Sequence, residues 1–399
     1  MQPLEGIRIA DFSHVMAGPY ASHLLRLLGA EVIKVESPGR GDAMRFYGYD
    51  RRYDGMSPAF IGVNVGKKSI TLNLKKPAAL AAAKKLVESA DAVLENFRPG
   101  VMTRLGLGYD ACKALNPGVV YCSVSGYGQS GPLRDWPAID NIVQATSGMM
   151  SLSGEAGGDF MRVGFPVVDT ITGQLAAFAI LAALFRRQKN GEGEYIDVAM
   201  LDASLAFMTA AVVPFLVSGK TLPRTGNTGY SGQPTTGLFT GADGRQISLG
   251  VVQQHQFEAL ARHLDRENWL QDPRYQTGDL RLANADAMKT ELAEVIKTRT
   301  AEDWEASMSA ANIPCGMVRD VSEAAALPHL AQRGLKIPIS IPPDLPAPPN
   351  ESAEILNAGF IMRGDGPGVE EGPPVLGADT EAVLAMLGYS AEEIKEITD

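Results

Sequence analysis

Asp169 is the residue whose position most clearly points to chemistry, because its carboxylate precedes a long apolar segment, residues 175–185. A carboxylate in apolar surroundings is destabilised unless it is paired or used. Asp is favoured at helix N-caps, and residues 170–172 could open a helix here. Active sites also collect carboxylates in such surroundings. Position alone therefore leaves both a helix cap and a catalytic group open.

Two further groups follow predicted strands. His14 lies in the loop after a strand at residues 7–12, and Glu95-Asn96-Phe97-Arg98 follows a strand that begins at residue 92. Ligands of open parallel sheets bind at the carboxyl edge, where such loops lie. Phe can stack on a base and Arg can hold a phosphate. The alternatives are a packed histidine and a capped turn with a buried Phe.

Four further cations could supply positive charge for the phosphate groups of a ligand: Lys34, Arg40, Lys75 and Arg104. Each of them alone is also typical of a solvated surface.

The elements that must position these residues alternate between strand and helix. Strands are predicted at residues 7–12, 31–36, 68–74, 92–94, 119–124 and 195–198, with helices at 18–28 and 77–89. This alternation predicts an α/β fold with a parallel sheet. Long apolar helices at 170–189 and 200–217 indicate deep burial or an interface. The segment after residue 221 reads as a smaller α+β unit, and Pro338–Pro349, with six prolines, reads as an extended linker.

Composition limits the partners. The chain has 399 residues and a net charge of -10 without a Lys/Arg block, which argues against nucleic acid and anionic membranes. Three cysteines show no metal-ligand spacing, so no metal site is predicted. The first residues do not read as a signal peptide, and the longest apolar run has 11 residues. A cytoplasmic protein is therefore expected.

Two motifs of other enzyme classes were tested. The letters Gly106-Leu107-Gly108-Tyr109-Asp110-Ala111 match a dinucleotide fingerprint, but they follow a predicted helical turn and not a strand. No G-x-S-x-G motif is present, which argues against a serine hydrolase.

In their order and spacing, several segments together resemble the class III CoA-transferases, which include formyl-CoA transferase and carnitine CoA-transferase. The matching segments span nearly the whole chain: residues 11–19, 28–36, 68–75, 95–100, 125–128, 169–173, 313–316 and 376–377.

The resemblance implies a fold and an assembly. Each chain would form a Rossmann-like large domain, residues 1–220 with 330–399, and a small α+β domain, residues 221–329. Long linkers would join the domains, and two chains would interlock as a homodimer. Acyl-CoA and small carboxylic acids would be the substrates, with no tightly bound cofactor and coenzyme A present only as substrate.

The resemblance also implies roles for individual residues. Asp169 would be the catalytic nucleophile. Asp140 and the glycine loop with Gly229, Gly232 and Gln233 would lie near it. The residues expected to bind CoA are His14, Val15, Met16, Ala17, Leu72, Lys75, Asn96, Phe97, Arg98 and Arg104.

The family also contains 2-methylacyl-CoA racemases, in which a His precedes the Asp that corresponds to Asp140. Ile139 occupies that position here, so a two-base proton transfer would lack one member. We therefore expect a transferase, with a racemase or a non-catalytic subunit of a heteromeric transferase as alternatives. A short dicarboxylyl-CoA such as succinyl-CoA is the favoured donor, and Arg45 or Arg162 could bind its second carboxylate.

Overall fold

The structure is a computed structural model that describes residues 1–229, 231–346 and 353–398. The chain forms two compact units. The first contains Met1–Met149, Arg162–Lys220 and Pro328–Asp399, and the second contains Met150–Met161 and Thr221–Leu327. The sequence-based division had left residues 150–161 in the large domain.

The first unit is built on a six-stranded parallel sheet, as the alternation of elements predicted. Its strands pair in the order β3-β2-β1-β4-β5-β6, and every neighbouring pair is parallel. The strands are Arg8–Asp11 (β1), Glu31–Glu36 (β2), Lys68–Thr71 (β3), Ala92–Glu95 (β4), Val120–Ser125 (β5) and Glu194–Ala199 (β6). The strand order reverses between β1 and β4, so the loops after these two strands flank the crevice in which such sheets bind ligands.

The helices of this unit cover the sheet and extend to the end of the chain. They are Ala17–Leu27, Pro58–Asn64, Pro77–Ser89, Val101–Arg104, Tyr109–Leu115, Asp140–Thr146, Val167–Asn190, Met200–Phe207, Thr209–Ser218, Pro328–Gln332, Thr380–Met386 and Ala391–Thr398, with short 3₁₀ turns at Ala43–Phe46 and Arg51–Tyr53. The predicted helix at 200–217 is wrong as a single element, because the chain bends by 79° between its two halves.

The long helix Val167–Asn190 packs against the first helix, Ala17–Leu27, and against β5 and β6. Gly173 makes this close approach possible, because a Cβ at this position would come within 2.6 Å of the Ala17 carbonyl oxygen. By length and apolar composition the long helix could also span a membrane. Its buried positions, which include Ala176, Ile180 and Leu184, instead form part of the sheet's core.

The second unit contains a three-stranded antiparallel sheet, Thr236–Thr240, Gln246–Gly250 and Cys315–Met317. Its core gathers aromatic and aliphatic side chains such as Phe257, Trp269 and Trp304. The strand at Thr236–Thr240 was not predicted, since it follows a segment rich in glycine. The helices of this unit are Gln254–His263, Asn268–Gln271, Gly278–Ala283, Ala285–Ile296, Ala301–Ala310 and Val321–Ala325.

The proline-rich segment begins inside a strand, contrary to the prediction of an extended linker from Pro338 onward. Lys336–Ile339 pairs antiparallel with Ala353–Leu356, and Pro338 lies opposite Glu354. A two-stranded ribbon has free edges, which tolerate proline. The end of the predicted linker lies outside the described residues.

Candidate active site

The loops at the reversal of strand order are bonded to each other. The Asn96 carboxamide accepts a hydrogen bond from the His14 backbone N–H at 2.9 Å and donates one to the His14 carbonyl at 2.8 Å. The rings of His14 and Phe97 lie 4.9 Å apart. Asn96, expected to bind CoA, therefore uses its carboxamide to fix the loop after β1.

Two cavities adjoin these loops. The larger, about 980 Å³, is lined by residues that include Val15, Met16, Ala17, Arg98 and Asp169. The smaller, about 450 Å³, is lined by residues that include Leu72 and Lys75. His14 and Phe97 line both cavities. Most of the residues expected to bind CoA are thus brought to one region of the first unit. Arg104 is an exposed residue at the end of the helix Val101–Arg104 and lines neither cavity.

Asp169 lies in the first turn of the long helix, but it is not its cap. Pro166 holds the N-cap position, and the helix begins at Val167. The first backbone donors are satisfied by other groups: Val168 N–H and Asp169 N–H both donate to the Asp140 carboxylate, at 2.8 and 3.2 Å. Of the two alternatives left open by the sequence, the one in which Asp169 itself caps the helix is therefore wrong.

Burial raises the pKa of the Asp169 carboxyl from 3.8 to about 7, and the negative charge of Asp140 adds to the effect. Donors at the helix start do not offset the burial, because the Val168 and Asp169 N–H groups are bonded to Asp140. Within the described residues no hydrogen bond reaches the Asp169 carboxylate.

Asp140 is held by Gln144, which the sequence analysis did not single out. The buried Gln144 side chain donates to Asp140 Oδ1 at 2.6 Å and accepts the Val163 N–H at 2.8 Å. Gln144 thereby joins Asp140 to the segment that leads into the long helix. The i,i+4 spacing of Asp140 and Gln144 could have pointed to this bond, because residues at that spacing share one face of a helix.

The cations divide into exposed and buried groups. Arg162 is exposed and lines the larger cavity with Asp169. Arg45 is buried, forms a bidentate ion pair with Glu36 and lies over the Phe60 ring, so the suggestion that it binds substrate is wrong. Lys34 lines the smaller cavity, but its side chain is fully buried and its ammonium is already paired with Asp42.

The glycine loop belongs to the second unit. Gly232 N–H bonds to the Gly229 carbonyl at 2.9 Å, closing a turn. Gln233 is largely buried, and its Nε2 donates to the Gly278 carbonyl at 3.4 Å. Tyr230 of the same loop lies outside the described residues. The roles expected for Gly229, Gly232 and Gln233 stay predictions.

No group of His, Cys, Asp and Glu side chains suited to a metal ion occurs among the residues that the structure describes.

Comparison with known proteins extends the likeness to the whole chain. Residues 4–380 match CoA-transferase family III. An acetyl-CoA:oxalate CoA-transferase of Acetobacter aceti is 39% identical, covering 84% of this chain and 85% of that protein. A succinate–glutarate CoA-transferase of Agrobacterium fabrum is 36% identical, covering 96% of each chain. A crystal structure of a CAIB/BAIF family protein from Brucella suis, 30% identical, superposes with a TM-score of 0.86 and covers 97% of this chain and 99% of that one.

The parallel sheet, the paired cavities at its reversal of strand order and these relatives agree with one another. The chain belongs to CoA-transferase family III, and the protein is a CoA-transferase that uses CoA thioesters as substrates.

Proposed function

We propose that this enzyme transfers CoA from a short dicarboxylyl-CoA, with succinyl-CoA favoured, to a carboxylic acid acceptor through covalent intermediates on Asp169. The observation that supports this most directly is the setting of the Asp169 carboxylate. It lines the cavity that also contains Met16, Ala17 and Arg162. It is mostly removed from solvent, and no described residue donates a hydrogen bond to it.

The reaction balances without water or a redox partner. The Asp169 carboxylate attacks the thioester carbonyl, the C–S bond breaks, and CoA thiolate leaves a mixed anhydride. The thiolate then attacks the aspartyl carbonyl, which releases the donor carboxylate and leaves an aspartyl-CoA thioester. The acceptor carboxylate attacks this thioester and the two steps run in reverse. One thioester is consumed and one is formed, so no metal or redox cofactor is required.

The protonation state of Asp169 suits this role. With a pKa near 7, the carboxylate is substantially ionised at neutral pH, yet it is a stronger base and nucleophile than an exposed Asp. The raised pKa arises mainly from burial, which also keeps water from the anhydride.

The N-terminus of the first helix supplies donors for the oxyanion of each tetrahedral intermediate. Met16 occupies its N-cap position and has no side-chain acceptor for the free N–H groups. Ala17 and Met16 line the same cavity as Asp169. Backbone N–H groups fixed in this way stabilise an oxyanion without reorganising during the reaction.

Arg162 selects the second carboxylate of the donor. Its guanidinium is exposed, and Arg binds carboxylates bidentately. A similar protein acts on succinate and glutarate according to its name. Arg162→Gln should raise KM for succinyl-CoA about tenfold or more while changing KM for acetyl-CoA less than about twofold. Equal changes for both donors would remove the basis for a dicarboxylate preference.

The covalent role of Asp169 is tested by trapping. Incubation with succinyl-CoA followed by hydroxylamine or borohydride should modify Asp169, as measured by peptide mass spectrometry. Asp169→Ala should lose transfer by several orders of magnitude. Undiminished transfer in this variant would refute the mechanism. Deuterium incorporation at C2 of a 2-methylacyl-CoA without transfer would instead indicate racemase chemistry.

The functional unit is an interlocked homodimer in the cytoplasm. Large apolar side chains on the long helix and the helix after Met208 are exposed in the single chain, including Phe178, Phe185 and Leu216. Apolar patches of this kind mark interaction surfaces. Light scattering on the purified protein should give twice the chain mass. A monomer with full activity, or activity that requires a second gene product, would contradict the homodimer.

A further inference from the structure

Val15 has a backbone conformation that a valine rarely adopts. Its φ is +65°, in the left-handed region. For a β-branched residue this conformation is a real outlier, because Cβ and its branches crowd the neighbouring carbonyl. Strain of this kind lowers the population of a conformation roughly ten- to a hundredfold unless the surroundings impose it. The loop of Val15 lines the cavity that contains Asp169.

The surroundings do impose it, through buried side chains that bond consecutive residues of the loop. The Asp11 carboxylate accepts the Ser13 N–H at 2.9 Å. Lys34 Nζ donates to the Ser13 carbonyl at 2.7 Å. Asn96 bonds both sides of His14, as described above.

Asp42 holds Val15 itself. Both carboxylate oxygens of Asp42 accept the Val15 N–H, at 3.0 and 3.1 Å. The Asp42 carboxylate is paired with Lys34 Nζ at 2.9 Å, and both side chains are almost fully buried. The Met44 N–H bonds to the same carboxylate at 2.9 Å, so Asp42 has a fixed orientation. The Val15 N–H therefore has an acceptor of fixed orientation, which stabilises the strained backbone conformation.

The loop held in this way leads directly into the start of the first helix. Gly18, in the first turn, packs on Ser13 so closely that a Cβ would lie 2.3 Å from the Ser13 Cβ. The path of the loop therefore sets the direction of the uncapped N–H groups that follow Val15. If Val15 relaxed to negative φ, these donors would turn away from the cavity.

We infer that Asp42, fixed by Lys34, is a positioning residue for CoA transfer, which acts by holding Val15 in its strained conformation and thereby orienting the start of the first helix. This inference rests on the proposed function, because the helix N-terminus has a catalytic use only if a tetrahedral intermediate forms at Asp169. Asp42 lines the smaller cavity with Lys75, and in the proposed role it acts through Val15 and not on the reacting atoms.

A double-mutant cycle separates this role from simple structural support. Asp42→Asn is made in the wild type, in Val15→Gly and in Val15→Ala, and kcat and KM for succinyl-CoA are measured. Glycine adopts positive φ freely. Alanine keeps the Cβ that causes strain at positive φ, although Val15→Ala removes almost as much of the valine side chain as Val15→Gly does. Asp42→Asn should lower kcat about tenfold or more in the wild type and in Val15→Ala, but less than about threefold in Val15→Gly. Equal losses in all three backgrounds would overturn the inference.

Thermal unfolding of the two Val15 variants tests the strain without any change at Asp42. Glycine normally lowers stability relative to alanine through the entropy of the unfolded chain. At this position the order should reverse, with the Val15→Gly midpoint above that of Val15→Ala. A lower midpoint for Val15→Gly would overturn the inference even if Asp42→Asn does not fold. Transfer that persists in Asp169→Ala would refute the proposed function instead, so the two failures are distinguishable.

Discussion

Replacing the proposed nucleophile should stabilise the protein at alkaline pH while it abolishes transfer. Asp169→Asn keeps the size of the side chain and removes its charge. The pKa of Asp169 is 3.8 when exposed and about 7 in the folded protein. A carboxyl with a raised folded pKa costs no stability below about pH 4. The cost grows as pH rises from about 4 to about 7, and it is constant above that range. The asparagine variant has no such dependence.

The size of the effect follows from the two pKa values. Between pH 5 and pH 8 the wild type should lose about 2.5 kcal/mol of unfolding free energy relative to Asp169→Asn, since one pKa unit corresponds to about 1.4 kcal/mol. This figure is an upper limit, because the Asp169 side chain keeps some solvent contact. Catalytic groups are often held in surroundings that lower the stability of the folded protein.

The assay is urea denaturation of both proteins at pH 5 and pH 8, at one protein concentration so that association does not alter the comparison. The unfolding free energy of Asp169→Asn relative to that of the wild type should be larger at pH 8 than at pH 5. Asp91→Asn provides a control, since it neutralises a carboxylate that is paired with Arg187. A difference between Asp169→Asn and wild type that does not change with pH would refute the argument that Asp169 is a destabilised buried carboxyl.

Two further predictions concern the surroundings of Asp169. Asp140→Asn removes the neighbouring charge that helps to raise the pKa of Asp169. The acid limb of the pH profile of kcat/KM should therefore move to lower pH. An acid limb that does not move would mean that Asp169 does not control it. Gly173→Ala should lower the unfolding midpoint and kcat together, about tenfold for kcat, because the new Cβ would meet the Ala17 carbonyl at 2.6 Å. Gly62→Ala is its matched control, because a Cβ there meets no atom within 4 Å, and it should leave both quantities nearly unchanged.

The types of most elements could be predicted from local patterns. The strand Glu31–Glu36 and the helix Pro77–Ser89 lie at the predicted residues. Their apolar residues recur at the spacing of one buried face, which is a property of the segment itself. The break near Met208 was missed because the residues on both sides of it are mostly apolar, so no change of pattern marks the bend.

The residue types of the candidate site could be predicted from the sequence, but their hydrogen bonds and ion pairs could not. His14, Asn96 and Phe97 were singled out because they follow strands, and they do lie together. The burial of Arg45 and Lys34 was not visible, since a cation with a buried partner has the same sequence appearance as one in solvent. The strain at Val15 was equally invisible, because backbone dihedrals in a loop depend on the side chains that bond to it.

The amino-acid sequence is sufficient to predict the alternation of strands and helices, the order of motifs and the presence of Asp169 before an apolar segment. These properties depend on neighbouring residues, so they can be read along the chain. Folding makes Asp140, and not Asp169, the acceptor of the N–H groups at the start of the long helix. These hydrogen bonds join residues 28 and 29 positions apart, and they leave the partly buried Asp169 with a pKa near 7. Contacts between distant segments fix the electrostatic surroundings of a group, and no local pattern specifies them.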